Sequence, residues 1–262
     1  MVTGIINFFK PSGCTSHDAV AFLRSLLGKK SKVGHGGTLD PLATGVLPIF
    51  LGKATKLARF SNLGKKVYQV DALMDRSSDT GDLEGKQEIL AIKGGIPSLE
   101  QVKDALLHFQ GPLEQYPPMY SAVKQNGVRL YRLARKGQVV ERRARRVEVY
   151  SYQLLFYNWP RLRCRITCSS GTYVRTLIED TGKFLGVGGL VSRLERSAVG
   201  CLSIEGSKSA FEIAAASIEG GLEHLFTPWR DFLSDLPTAK IMPSALERVR
   251  NGASLTEDQV VR

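Results

Sequence analysis

One stretch of the chain gathers the residue types that covalent chemistry needs: Gly34-His35-Gly36-Gly37-Thr38-Leu39-Asp40-Pro41-Leu42-Ala43-Thr44-Gly45. Its glycines allow tight turns and close approach of a ligand to the backbone. Its aspartate is ionised at neutral pH, so it needs no partner base to attack a carbon or to meet a developing positive charge. Asp40-Pro41 also suits a plainer role, an Asp N-cap with Pro at the first helical position; a His and three glycines ahead of it favour an exposed, backbone-rich pocket. Other chemistries fit less well. Gly34-x-Gly36-Gly37 is neither G-x-G-x-x-G nor a P-loop, and no G-K-[ST] follows. His35 and Asp40 lack a third metal ligand in register. The acidic run Asp75, Asp79, Asp82, Glu84 does not have EF-hand spacing and reads as a solvated turn. No G-x-S-x-G serine motif is present.

The elements that would hold such a loop can be read on either side of it. Thr15 or Ser16 caps a helix over about 17–27, with Val20, Leu23 and Leu27 at helical spacing and Gly28 as the stop. Residues 65–73 read as a strand with Tyr68, Val70 and Ala72 on one face. Ser98 and Gln101 make a capping box for a helix over 98–109. Residues 161–168 alternate cleanly, Leu162, Cys164, Ile166 and Cys168 inward and Arg161, Arg163, Arg165 and Thr167 outward, as in an antiparallel strand with one basic, solvated face. A further helix spans 172–185 and closes at Gly186. Strands and helices mix without regular βαβ alternation, which predicts an α+β fold rather than a doubly wound sheet.

The charge is localised. Of the net +11, the 23-residue window 124–146 carries +8: nine basic residues (Lys124, Arg129, Arg132, Arg135, Lys136, Arg142, Arg143, Arg145, Arg146) against Glu141 alone. Tyr120 and Tyr131 lie in and beside it. Clustered cations with interleaved rings suit a polyanion with unpaired bases. A membrane surface fits less well, since no helix with a strong Trp/Phe/Leu face accompanies the charge. No apolar run approaches the roughly 20 residues of a membrane span, and the N-terminus has no secretory pattern. The four cysteines include no C-x-x-C and are expected as free thiols of a cytoplasmic protein.

Together these motifs identify the chain as resembling the TruB family of tRNA pseudouridine-55 synthases. Gly34 to Gly45 resembles the family's G-H-x-G-T-L-D-P-x-A-T-G signature. Lys66-Val67-Tyr68, followed by Asp79-Thr80, resembles its K-x-Y strand. Pro117-Pro118-Met119-Tyr120-Ser121-Ala122-Val123-Lys124 with Tyr131-Arg132-Leu133-Ala134-Arg135, and Ser169-Ser170-Gly171-Thr172-Tyr173-Val174-Arg175-Thr176, match two further segments, so the likeness spans roughly residues 4–200. Gly36 stands where Thr is often found, Met74-Asp75 where Leu-Gly is usual, and Glu195 where an Arg is more common.

The resemblance implies an α+β pseudouridine synthase fold, a mixed, mainly antiparallel sheet flanked by helices, over residues 1–226. It implies a basic RNA-gripping arm inserted at about 112–147, carrying Lys124, Arg129, Arg132, Arg142, Arg143, Arg145 and Arg146. The tail 227–262 is too short for the PUA module of many relatives. The implied reaction isomerises uridine 55 in the T loop of tRNA on a flipped-out nucleotide, with assistance to tRNA folding as an accompanying role. By the resemblance Asp40 is catalytic, Arg175 pairs with it, and Tyr68 stacks on the target base and assists removal of the C5 proton. Tyr173 and Leu194 line the uracil pocket, and His35 contacts the displaced nucleotide. Attack at the anomeric carbon, abstraction of the 2′ proton and addition to C6 are all open to the carboxylate. No metal or other cofactor is expected for a redox-neutral isomerisation. The expected partner is the tRNA T arm, and the expected state a monomer without membrane contact.

Overall fold

Period-two burial organises the centre of the molecule. The computed structural model describes residues 2–92, 94–125 and 127–261. In chain order it runs β1 (Gly4–Lys10), α1 (Ser16–Leu27), β2 (Val33–His35), β3 (Thr44–Leu51), a long 3-10 segment (Gly52–Asn62) and β4 (Lys66–Leu73). A small hairpin, β5 (Arg76–Ser78) and β6 (Gln87–Ile89), precedes α2 (Leu99–His108) and β7 (Gly111–Gln115). Then come β8 (Lys124–Gln125), β9 (Val128–Arg129), α3 (Leu130–Ala134), β10 (Arg145–Asn158), β11 (Arg161–Cys168), α4 (Val174–Phe184) and β12 (Leu190–Val199). The chain continues through β13 (Leu202–Ser203), α5 (Ala210–Glu219), β14 (Phe226–Thr227), α6 (Trp229–Phe232), β15 (Lys240–Ile241), α7 (Leu246–Arg250) and β16 (Val260–Val261).

Ten strands form one sheet in the order β14-β1-β3-β12-β4-β11-β10-β7, with β2 added to β3 and β13 to β12. Every pairing is antiparallel except β3 with β12, where Glu195 lies opposite Thr44 and Arg196 opposite Gly45. That junction, with β4 on the other side of β12, is where the site forms. Alternate residues Leu162, Cys164, Ile166 and Cys168 of β11 and Tyr68, Val70 and Ala72 of β4 are buried. The helices lay apolar stripes into the same core: Ala19, Val20 and Leu23 from α1, Val102 and Leu106 from α2, Val174, Leu177 and Ile178 from α4. Each Val, Leu or Ile among them taken out of water stabilises the fold by about 1.5–3 kcal/mol. Arg161, Arg163 and Arg165 stand outward, and Arg163 pairs across the strands with Asp71, Nη2 to Oδ2 at 3.2 Å.

The element ends follow local chemistry. Thr15 caps α1 through a full capping box with Asp18, and Ser98 caps α2 with Gln101. The helix expected from residue 172 begins at Val174, because the Tyr173 N–H donates to Gln115 Oε1 (3.0 Å) and the Thr172 hydroxyl to Ser169 O (2.9 Å). Asp40-Pro41 lies in a loop, as its glycine-rich context favoured over a helix cap, in a turn where the Ala43 N–H donates to Asp40 O (3.1 Å) and the Gly13 N–H to Pro41 O (2.9 Å). The edges of the basic arm are strands of the main sheet, Arg145 and Arg146 pairing with Gln115 and Glu114, so the part outside the sheet is residues 116–144. The tail that begins near residue 227 meets the sheet: Ile5 and Ile6 pair with Thr227 and Phe226, and the Phe232 ring meets Phe50 edge-on at 5.3 Å.

Candidate active site

Buried cations fasten the glycine-rich loop from both sides. Lys10, in phase with the buried face of β1, donates from Nζ to the carbonyls of Pro11 (2.8 Å), Cys14 (2.6 Å) and Pro41 (3.2 Å). The Ser16 hydroxyl at the head of α1 accepts from the Leu39 N–H at 2.8 Å and donates to Leu39 O at 3.1 Å. From β12, the fully buried Arg196 donates through Nε to Val46 O (2.8 Å) and through Nη2 to Gly37 O (3.1 Å). Gly45 makes the close approach possible: its φ is +105° and a Cβ there would sit 2.2 Å from Arg196 O. Paired buried donors of this kind turn a flexible sequence into a rigid mount.

Asp40 projects from that mount toward Arg175 in the first turn of α4. Asp40 Oδ2 lies 2.9 Å from Arg175 Nε, and the side chains are 32% and 5% exposed respectively, so the carboxylate faces the cleft while the guanidinium is enclosed. Arg175 is held by three further acceptors: Thr80 O at 2.6 Å, Tyr120 O at 2.9 Å, and Asp82 Oδ2 at 3.4 Å. Asp82 is itself buried, its Oδ1 accepting from the Thr80 hydroxyl (2.6 Å) and the Glu84 N–H (3.1 Å). It is therefore not the solvated turn residue that its sequence context suggests, but a second carboxylate beneath the arginine. Burial pushes the Asp40 carboxyl above its ordinary value; Arg175 opposes this and the like charge of Asp82 adds to it. The result is a carboxylate more basic than a surface aspartate.

A cavity of about 340 Å³ opens over this pair and is lined by Asp40, Arg175, Tyr68, Tyr173 and Leu194 among others. Its size suits one nucleoside rather than a long ligand. Tyr68 and Leu194 come from the buried faces of adjacent strands, with Tyr68 opposite Arg196 in register. Burial raises the phenols of both Tyr68 and Tyr173, so both are neutral at physiological pH. Tyr173 is fixed by Gln115, which accepts from its N–H and donates to its carbonyl at 3.4 Å.

Five of the six pocket residues expected from the sequence thus converge. His35 does not line the cavity; it is half-buried on β2 opposite Ile49, and burial, then Arg196, hold its imidazole below the usual value. Of the arm residues, Arg145 reaches the cavity. Arg142 donates to Pro117 O at 3.2 Å, and Lys124 and Arg129 face each other across β8 and β9. Arg132, Arg143 and Arg146 are exposed beside them. Sequence reasoning missed Lys10, Lys66, Asp82 and Arg196. For three of these a signal existed: each cation sits in phase with the apolar residues of its strand. Asp82 gave none.

Comparison with known proteins follows the same lines. Residues 24–174 match the family described as TruB family pseudouridylate synthase (N terminal domain). A tRNA pseudouridine synthase B from Dehalococcoides mccartyi (strain BAV1) is 40% identical over 98% of this chain and 85% of its own. One from Streptococcus pneumoniae is 40% identical over 98% of this chain and 89% of its own. Among solved structures, a chain of a Cbf5–Nop10–Gar1 complex superposes with a TM-score of 0.77 at 30% identity, over 98% of this chain and 69% of that one. The architecture is the pseudouridine synthase fold. Within that class, the chain belongs to the TruB family.

Proposed function

We propose that the protein isomerises uridine 55 in the T loop of tRNA to pseudouridine, with Asp40 as the reacting carboxylate. The observation that carries the reading is the Asp40–Arg175 pair at 2.9 Å, opening on a nucleoside-sized cavity walled by Tyr68, Tyr173 and Leu194. The target base leaves its stack and is received between aromatic and apolar walls that replace the lost stacking. Breaking the N1–C1′ bond develops positive charge on the sugar, which an adjacent ionised carboxylate meets. Arg175 holds that carboxylate in place, and Tyr68 keeps the detached uracil against the site while it turns. C5 then bonds to C1′, the C5 proton is lost and N1 takes one up, so electrons balance without an oxidant. Burial makes the Asp40 anion the stronger nucleophile, and it is protonated at a higher pH than a surface aspartate.

The charge pattern supports tRNA as substrate: nine cations fall in 124–146, and one of them, Arg145, lines the cavity. The similar proteins from Dehalococcoides mccartyi and Streptococcus pneumoniae, both tRNA pseudouridine synthase B, support the same substrate. Carbodiimide labelling of an unmodified tRNA transcript after treatment, read by primer extension, tests the substrate. A single new stop at the T-loop uridine is expected; stops spread over other uridines, or none, would contradict the assignment.

A further inference from the structure

β4 presents a second residue to the cavity on the same face as Tyr68: Lys66, two positions earlier and 6% exposed. An ammonium has three donors. One of them goes to Ser170 Oγ at 3.0 Å, whose hydroxyl in turn donates to Asn62 Oδ1 at 3.0 Å. Among the described residues no Asp or Glu pairs with Lys66. Its charged neighbour is another cation. A Cβ on Gly37 would lie 3.4 Å from Lys66 Nζ and 3.7 Å from Arg196 Nη1. Arg196 cannot relieve the charge, and its own donors go to the carbonyls of Val46, Gly37 and Thr38. Lys66 and Asp40 both line the cavity, and the ion pair of Asp40 is with Arg175.

A buried, unanswered cation is costly to the fold and is retained where a ligand anion answers it. Lys66 lies toward the rim: Asn62 and Gly171 are exposed and Ser170 half-buried. When a uridine sits with its base on Tyr68 and Leu194 and its sugar at Asp40, the anion left at the rim is a phosphodiester. We infer that Lys66, oriented by Ser170 and Asn62, anchors the phosphate flanking the target uridine and so fixes how deeply the nucleotide is seated. It is a positioning residue that reads backbone rather than base. Burial and Arg196 hold its ammonium down to about 8, so at neutral pH it still carries its proton.

The inference rests on the cavity receiving an RNA nucleotide, and the experiment separates the two. T-arm stem-loops carry a neutral methylphosphonate at the linkage 5′ or 3′ of the target uridine and are tested with wild type, Lys66→Met and Ser170→Ala. Lys66→Met is expected to raise Kd and KM by about tenfold with kcat within about threefold, as for removal of a charge-assisted hydrogen bond. Ser170→Ala has the same effect in smaller degree. At one of the two linkages the methylphosphonate costs wild type the same factor and costs Lys66→Met nothing more. Wild-type affinity falls as pH rises through about 8, and that fall is absent in Lys66→Met. A melting temperature at or above wild type shows the variant folded. A drop in kcat at unchanged Kd, or a full methylphosphonate penalty in both proteins at both linkages, overturns the inference. Failure of wild type on the unmodified stem-loop would instead overturn the function proposed for the cavity.

Discussion

At the scale of single residues, the site is a contest between burial and pairing. Asp40 is pushed up by burial and by Asp82, and pulled down by Arg175. A carboxylate needed as an anion then loses activity on the acid side at a higher pH than a surface aspartate would. Asp82→Asn removes the like charge and keeps acceptors for Thr80 and the Glu84 N–H. The acid limb of kcat against pH is therefore expected to move to lower pH. Thermal stability should fall by about 2 kcal/mol, the worth of a hydrogen bond to a charged partner. A limb that stays put would mean the two carboxylates are not coupled. Asp40 was legible because its loop is dense in glycine, whereas Arg175 was legible through the family resemblance, its own segment from Ser169 to Thr176 holding one glycine. Asp82 was not, since a carboxylate in a turn looks the same whether it meets water or a buried guanidinium far along the sequence, as Arg175 is.

Elements were legible where the signal is local. Both capping boxes, Thr15 with Asp18 and Ser98 with Gln101, form as the side chains dictate. The alternation in Arg161–Cys168 gives the strand and its faces directly. Errors arose where a distant partner competes for a backbone group, as Gln115 does for the Tyr173 N–H. The basic arm is a composite: residues 116–144 lie outside the sheet, whereas Arg145 and Arg146 belong to it. Their roles should divide accordingly. Arg142→Gln with Arg143→Gln is expected to raise KM and to make log Kd less steep against log salt by up to about 1.5, near 0.7–0.9 for each phosphate no longer neutralised. Titrations over a salt series measure this, and an unchanged slope would exclude these two arginines from the RNA interface.

For the whole molecule, strand order could not be read from the chain. The β3–β12 parallel junction joins residues about 150 apart, and only there do the Asp40 loop, Tyr68 and Arg196 come together. Lys10 and Arg196, each fully buried, link that junction to the loop. The C-terminal segment helps hold the opposite edge, through β14 against β1 and Phe232 against Phe50. Phe232→Ala should lower stability by about 2 kcal/mol, less than a fully buried Phe because its ring is partly exposed. A two-state melt is expected to shift by roughly 4–8 °C, and an unshifted melt would show that the segment adds nothing to the sheet.

The central claim is that Asp40 reacts with a uridine received in this cavity. The most direct measurement is tritium release from an unmodified tRNA transcript labelled at C5 of uridine, with wild type and Asp40→Asn compared at equal RNA occupancy. Asparagine keeps the shape, and because burial outweighs the Arg175 pairing, losing the charge should leave thermal stability intact or higher. Wild type is expected to release one equivalent per tRNA, while Asp40→Asn binds equally well and turns over slower by on the order of 10⁴-fold or more. Release by Asp40→Asn at a rate near wild type, or no release by wild type on RNA it binds tightly, would contradict it.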